Sequence, residues 1–267
     1  MPCGWPASTS TLKPIANKEA TMFRPSFFHP NRIANPPKTA KAAPAWTYAR
    51  LPQAPINGSP VPHLTSLYHF HRAGNYGDRK YRGNCGGNLI RDLLQYFGSQ
   101  SVLDPMSGSG TCGDVCKELG IPCHSLDLRR GNDAADPGSY AGLAPVDFVW
   151  MHPPYWRMIR YNDDPRCLSQ LPSLEEFLSS MQAVLRNCRS VLKPRGKIAV
   201  LIGGYSDKGR YQPLAQMLLE RAIREGLWPA CTEIVRFQHG NTSSKNRYRS
   251  SFIPGLHDIC QVFEVAD

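Results

Sequence analysis

Apolar residues at positions 89, 90, 93, 94 and 97 place one stripe along a helix over 88–97. A repeat of 3.6 residues returns side chains three and four apart to a single face. Gly98 follows as a stop. The pattern then shortens. Val102 and Leu103 lead into Asp104 and a turn containing Gly108 and Gly110, and 112–119 returns to helical spacing before Gly120. A second short apolar run over 121–126 ends at Asp127. Val146, Phe148, Val149, Trp150 and Met151 form a nearly unbroken apolar run, as in a strand buried on both faces. Pro153 and Pro154 end that strand, because neither can donate to a sheet ladder. Ser173-Leu-Glu-Glu176 reads as a capping box. It opens a helix whose stripe runs through 174, 177, 178, 181, 184, 185, 188, 191 and 192, with Pro194 and Gly196 expected to stop it. A strand over 197–202, a helix over 213–225 and two closing strands over 232–237 and 259–265 complete the pattern. Short strands alternating with amphipathic helices predict an α/β fold around a mostly parallel sheet.

Three stretches lack this periodicity. Residues 1–60 carry eleven prolines, seven Lys/Arg and a single acid, Glu19. Too little apolar surface is available there to offset the entropy of ordering, so 1–62 is expected to be a disordered, basic, proline-rich arm and 63–267 a folded domain. Between 63 and 82, Tyr68, Phe70, Tyr76 and Tyr81 alternate with His69, His71, Arg72, Arg79, Lys80 and Arg82. Such a run either stacks on and neutralises a nucleic-acid strand or covers one edge of the core. The stretch 239–255 holds Lys245, Arg247 and Arg249 and no acid.

Composition narrows the class. A chain of 267 residues with a formal charge of +10 is large enough for a substantial core and favours a polyanionic partner. The nine cysteines form none of the paired short-spacing clusters of a structural zinc site, though Cys112 and Cys116 lie one helical turn apart, next to Cys123. An odd cysteine count, with neither a signal peptide nor an apolar run of membrane-spanning length, leads to the expectation of a soluble, reducing, cytoplasmic setting.

The chemistry lies at the strand ends. Glycines at 108 and 110 between a strand and a helix let backbone approach a ligand and expose helix N–H groups to it. The spacing is neither the six-residue dinucleotide fingerprint nor a phosphate-binding loop with its lysine, which argues against NAD and ATP. Asp127, about twenty residues past the turn, is placed to accept from ribose hydroxyls. Asp133 could accept from an adenine amino group or simply cap its loop. His152-Pro153-Pro154-Tyr155-Trp156 sets rigid acceptors beside aromatic rings, suiting a planar ring that bears an exocyclic amine.

Two motifs in this order, Asp104-Pro-Met-Ser-Gly-Ser-Gly-Thr111 and His152-Pro-Pro-Tyr155, resemble the amino-methyltransferases that use S-adenosylmethionine to methylate adenine N6 or cytosine N4 in DNA. The resemblance covers about residues 80 to 265. It implies a Rossmann-like seven-stranded sheet, mostly parallel with the last strand antiparallel, and helices on both faces. It further implies that Asp104 and the Gly108/Gly110 turn hold the methionine part of the cofactor, with Met106 and Thr111 also at the cofactor site, and that Asp127 holds its ribose. Asp133 is the weaker candidate beside the adenine. Residues 84–91 occupy the place of the family's other cofactor motif, with a loose match.

The chain departs from the pattern in three places. His152 stands where the family usually has Asp, Asn or Ser, so the target base is not legible there. Met106 replaces the usual Phe. The stretch about 237–256, with Lys245, Arg247 and Arg249 as its DNA contacts, is short for a target-recognition segment, so recognition is expected to draw also on 63–82 or on a restriction or specificity partner. The expected reaction stacks the base on Tyr155 or Trp156 while His152 and the Pro153 carbonyl accept the amine hydrogens, with no metal required. DNA methylation leads, adenine N6 ahead of cytosine N4. The alternatives are an RNA amino-methyltransferase acting on adenine N6 or guanine N2, and an inactive fold used for binding.

Overall fold

The structure is a computed structural model, and it describes residues 59–70, 73–237, 255 and 257–266. Four helices are present among them, α1 (Asn88–Phe97), α2 (Thr111–Leu119), α3 (Leu174–Ser190) and α4 (Leu214–Arg224). The strands are β1 (Leu67–Tyr68), β2 (Val102–Asp104), β3 (Cys123–Ser125), β4 (Val146–Met151), β5 (Leu192–Ile202), β6 (Tyr205–Asp207), β7 (Arg210–Gln212), β8 (Leu227–Pro229), β9 (Ile234–Phe237) and β10 (His257–Val265). The main sheet runs β1-β9-β10-β5-β4-β2-β3, with β8 also paired to β10. β2, β3, β4 and β5 are mutually parallel, and β10 is antiparallel to β5, β8 and β9. This is the expected Rossmann-like arrangement with an antiparallel last strand.

The alternation of side chains along the central strands explains the two cores. Phe148 and Trp150 of β4 and Ala199 and Leu201 of β5 face α1 and α2. Val149, Met151, Ile198, Val200 and Ile202 face α3 and α4. With helices covering both faces, β4 has no polar side to show, and its sequence reads as a continuous apolar run.

Local signals account for the helix ends. Gly98 and Gly120 close α1 and α2 in the left-handed conformation. Ser173 Oγ accepts from Glu176 N–H at 3.1 Å and donates to the Glu176 carboxylate at 2.9 Å, satisfying an amide that the helix leaves open. Ser173→Ala should therefore cost about 1 kcal/mol of stability in urea unfolding. An unchanged midpoint would remove the cap from the account.

Two expectations about elements need correction, and one open alternative is decided. Helix α3 ends at Ser190, before Pro194; Lys193 to Gly196 instead form an irregularity inside β5, where the register with β4 shifts and Arg195 takes φ 64°. Proline lacks an N–H, and a bulge in a strand tolerates that. The sheet has eight strands where seven were expected: β8 and β9 pair with successive parts of β10, and Leu67–Tyr68 adds an edge strand. Within 63–82, the edge-covering role holds for Tyr68, which is buried and donates to Asp92 at 2.7 Å, with His63 Nε2 also 2.7 Å from that carboxylate.

Candidate functional site

A cleft open to solvent lies at the carboxyl ends of β2, β3 and β4. Open α/β sheets place ligands there because the strand-to-helix loops diverge at that edge. Its floor is the glycine turn. Gly108 and Gly110 have φ of 46° and 82°, a region that side chains strain to enter. At Gly108 a Cβ would also press on the Tyr81 ring, 3.3 Å from its hydroxyl. Thr111 opens α2 and donates from Oγ1 to Asn84 Oδ1 at 3.1 Å, while Asn84 Nδ2 donates to the carbonyls of Tyr76 and Asp78. The segment before α1 is thereby laced onto the glycine turn, giving the loosely matched 84–91 region a physical role at the cleft.

Asp104 ends β2 and is 3% exposed. Burial pushes its carboxyl up to about 8, against the single bond it receives from Met106 N–H. Met106 lines the same cleft. Asp127 is more fully engaged than the sequence suggests. Its Oδ1 accepts from Arg129 N and Nε at 2.9 and 3.0 Å, and its Oδ2 from Gly108 N at 2.9 Å. Burial alone would raise its pKa; the bonds from Arg129 and Gly108 and the Arg129 charge outweigh that, so the carboxyl lies below its ordinary range. Arg129 also donates to the Gly108 carbonyl at 2.7 Å and lies over the Tyr81 ring, clamping the turn from outside. Asp133 lines the cleft and caps its own loop through Ala135 N–H at 2.9 Å.

The His152 motif divides between the cleft and the core. His152 and Pro154 line the cleft. Pro153 is buried. Trp156, expected as a stacking face, turns into the core instead: it takes φ 48°, is 5% exposed and donates from Nε1 to the Leu171 carbonyl at 3.0 Å. Tyr155 also lies outside the cleft lining and stands edge-on to His152, with ring centroids 5.8 Å apart. The aromatic pair at the cleft is Tyr81 on Tyr161, stacked at 5.7 Å and 21°. Sequence reasoning missed Tyr161, which sits in an aperiodic loop where only its aromatic character marks it.

Behind His152 lies a buried polar network. Tyr155 Oη is 3.3 Å from His152 Nε2. Burial, then the Asp258 carboxylate to which it hydrogen-bonds, hold the Tyr155 hydroxyl well above its ordinary range, so it remains a phenol. The direction of the bond between the Tyr155 hydroxyl and His152 Nε2 follows the imidazole tautomer; a neutral ring has one donor and one acceptor nitrogen in either case. Burial first, and the positive charge of Arg236 second, lower the His152 pKa to about 4. Arg236 pairs with Asp258 at 3.6 Å; its Nε and Nη1 have no hydrogen-bond partner among the described residues. Lys245, Arg247 and Arg249 lie outside the described residues. No helix among the described residues is long and apolar enough to cross a membrane.

No protein-family model and no curated protein matches the chain. Among solved structures, TrmN from Thermus thermophilus aligns over 66% of this chain and 48% of its own, with 21% identity and a TM-score of 0.42. A second Thermus thermophilus protein, provisionally assigned as a DNA modification methylase and solved with S-adenosyl-L-methionine, aligns over 51% of this chain and 54% of its own at 20% identity and a TM-score of 0.36. A Burkholderia thailandensis 1,6-didemethyltoxoflavin-N1-methyltransferase covers 67% of this chain and 78% of its own at 16% identity and a TM-score of 0.41. The chain spans about half the length of the two Thermus proteins. At these values the likeness supplies no residue-by-residue correspondence.

Proposed function

We propose that this chain is an S-adenosylmethionine-dependent methyltransferase acting on the exocyclic amine of a base in DNA, adenine N6 ahead of cytosine N4. The observation that carries the reading is His152 at the end of β4: an imidazole that burial keeps neutral, opening with Pro154 onto the cleft that holds Asp104 and the glycine turn. The donor set fits the cofactor. Asp104 is a buried carboxyl on the cleft that would receive the ammonium group, Gly108 lines the same cleft, and Asp127 beside it would accept from the ribose hydroxyls. The formal charge of +10 supports a polyanionic substrate, with Lys245, Arg247 and Arg249 as the candidate phosphate contacts.

S-adenosylmethionine held by Asp104, the glycine turn and Asp127 would supply an electrophilic methyl group to the amine nitrogen, with its sulfur leaving as a neutral thioether. The chain's residues prepare the amine. The acceptor nitrogen of His152 takes one hydrogen and the Pro153 carbonyl the other, drawing the lone pair out of the ring and toward the methyl carbon. The proton released from the methylated amine passes to the solvent that the open cleft admits. Tyr81 and Tyr161, rather than Trp156, hold the flat ring. The test is transfer of labelled methyl to DNA and to total RNA, followed by long-read sequencing of DNA from an expressing host. Label in DNA supports the reading. Label in RNA alone moves it to the RNA amino-methyltransferases, and cofactor binding without label moves it to a binding module.

Two expected results follow for cofactor binding. Asp127→Ala should weaken S-adenosylhomocysteine binding by about 2–3 kcal/mol in calorimetry, since it removes a charge-assisted pair to the ribose. Unchanged affinity in a folded variant would end that assignment. Asp104 holds its proton up to about pH 8 in the free protein. An ammonium placed against it favours the charged form, so at pH 7 binding should release a proton. Binding enthalpies would then vary with the ionisation enthalpy of the buffer; the absence of such variation in wild type, or its survival in Asp104→Asn, would deny the contact.

A further inference from the structure

Three cysteines take no part in the chemistry above. Cys112 and Cys116 sit one turn apart on the buried face of α2, at 0% and 1% exposure. Cys123 reaches them from β3, paired in register with Val102 of β2, and is only partly buried. The three Sγ atoms lie within 4.8 Å of one another. Ser125, next but one along the strand, places its Oγ 3.6 Å from Cys123 Sγ. Gly113 lets that hydroxyl stand close to α2: a Cβ there would meet it at 3.4 Å.

We propose that Cys112, Cys116 and Cys123 form a binding site for a thiophilic divalent metal ion of the zinc type, completed by the Ser125 hydroxyl or a water molecule. Zinc–sulfur bonds of about 2.3 Å in a tetrahedral site set sulfurs roughly 3.8 Å apart, so the thiols need to close by no more than about 1 Å, within the reach of side-chain rotation. Sulfur donors in this number select soft ions over magnesium or calcium. Three thiolates and a divalent ion leave one net negative charge. β3 is the last strand of the sheet on that side, and Cys123 is only partly buried, which gives the site its most open flank. In sequence the three residues fit no zinc-finger spacing, since α2 and β3 must fold and pair before the sulfurs converge. The site ties the start of α2, and so the glycine turn, to the neighbouring strand. It stands apart from the catalytic reading and does not depend on it.

The full chain, kept reduced and stripped with a chelator, would be titrated with Co²⁺ as an optical probe and with Zn²⁺ against a chromophoric chelator. The expected result is one tightly held ion per chain, with sulfur-to-cobalt charge-transfer absorption that Zn²⁺ abolishes. X-ray absorption of the zinc form should give three sulfur neighbours and one oxygen. Cys123→Ser, at the partly exposed position, should fold as wild type by circular dichroism, still bind S-adenosylhomocysteine, and lose at least tenfold in metal affinity. Absence of charge-transfer absorption in the wild type would overturn the site and leave the thiols as core packing. Equal uptake by wild type and Cys123→Ser would assign the ion to other cysteines and overturn it too.

Discussion

Asp258→Ala is expected to lower the stability of the domain by roughly 3–5 kcal/mol, the largest loss of any single substitution considered for this chain. Asp258 and Arg236 face each other across the β9–β10 ladder, 4% and 9% exposed. Burial works against the Arg236 charge, and the Asp258 carboxylate more than offsets it. Removing the carboxylate leaves a guanidinium in the core that already lacks partners for Nε and Nη1 among the described residues. The cost is that of an unpaired buried charge, which exceeds the net worth of the pair. For that reason Arg236→Met combined with Asp258→Ala should recover much of the loss, since replacing both members of a buried pair by apolar groups is often near neutral. Urea unfolding of the two variants decides the matter. A loss below about 1 kcal/mol in Asp258→Ala, or no recovery in the double variant, would show that the pair is not buried as described.

Elements whose signal is contained in one short window were legible in the sequence. Helix α1, the glycine turn, the β4 run and the Ser173 capping box each follow from a periodicity or a cap within a few residues. The missed elements carry their cause elsewhere. β1 is two residues long and exists because β9 offers an edge to Tyr68 and Leu67. The β6–β7 hairpin is polar on both strands, so no alternation announces it; its one local mark is the Lys208-Gly209 turn, with φ of 48° and 81°. The site divides along the same line. Asp104, Gly108 and His152 stand at strand ends that the pattern locates. Arg129, Tyr161, Arg236 and Asp258 reach the cleft or its back wall through loop paths and pairings between distant strands, which no spacing reveals. Trp156 shows the limit of the stacking argument: two prolines fix where β4 stops, but the φ of 48° that follows decides which way the indole faces.

His152→Ala is expected to reduce methyl transfer roughly 100-fold or more while leaving S-adenosylhomocysteine binding intact, because in the proposed reaction its ring contacts the amine and not the cofactor. His152→Asn should retain most of the rate, its carbonyl replacing the ring nitrogen as acceptor. The pH profile separates acceptance from mere packing. An unfolded histidine titrates near 6.5, whereas in the folded chain burial and Arg236 lower His152 to about 4. The ring is thus neutral, and able to accept, from alkaline pH down to about 4, and its protonation switches acceptance off below that. The same shift gives a sign for stability: the contribution from keeping the ring neutral is full above pH 6.5 and is lost as the pH falls from there toward 4. Wild-type turnover at saturating cofactor should accordingly stay level through pH 6.5 and fall only on approaching about 4, while His152→Asn loses that fall. NMR of the His152 ring across the same range reports its protonation directly. A ring that titrates near 6.5, or an identical acid limb in wild type and His152→Asn, would take the acceptor role away from His152 and leave it to the Pro153 carbonyl.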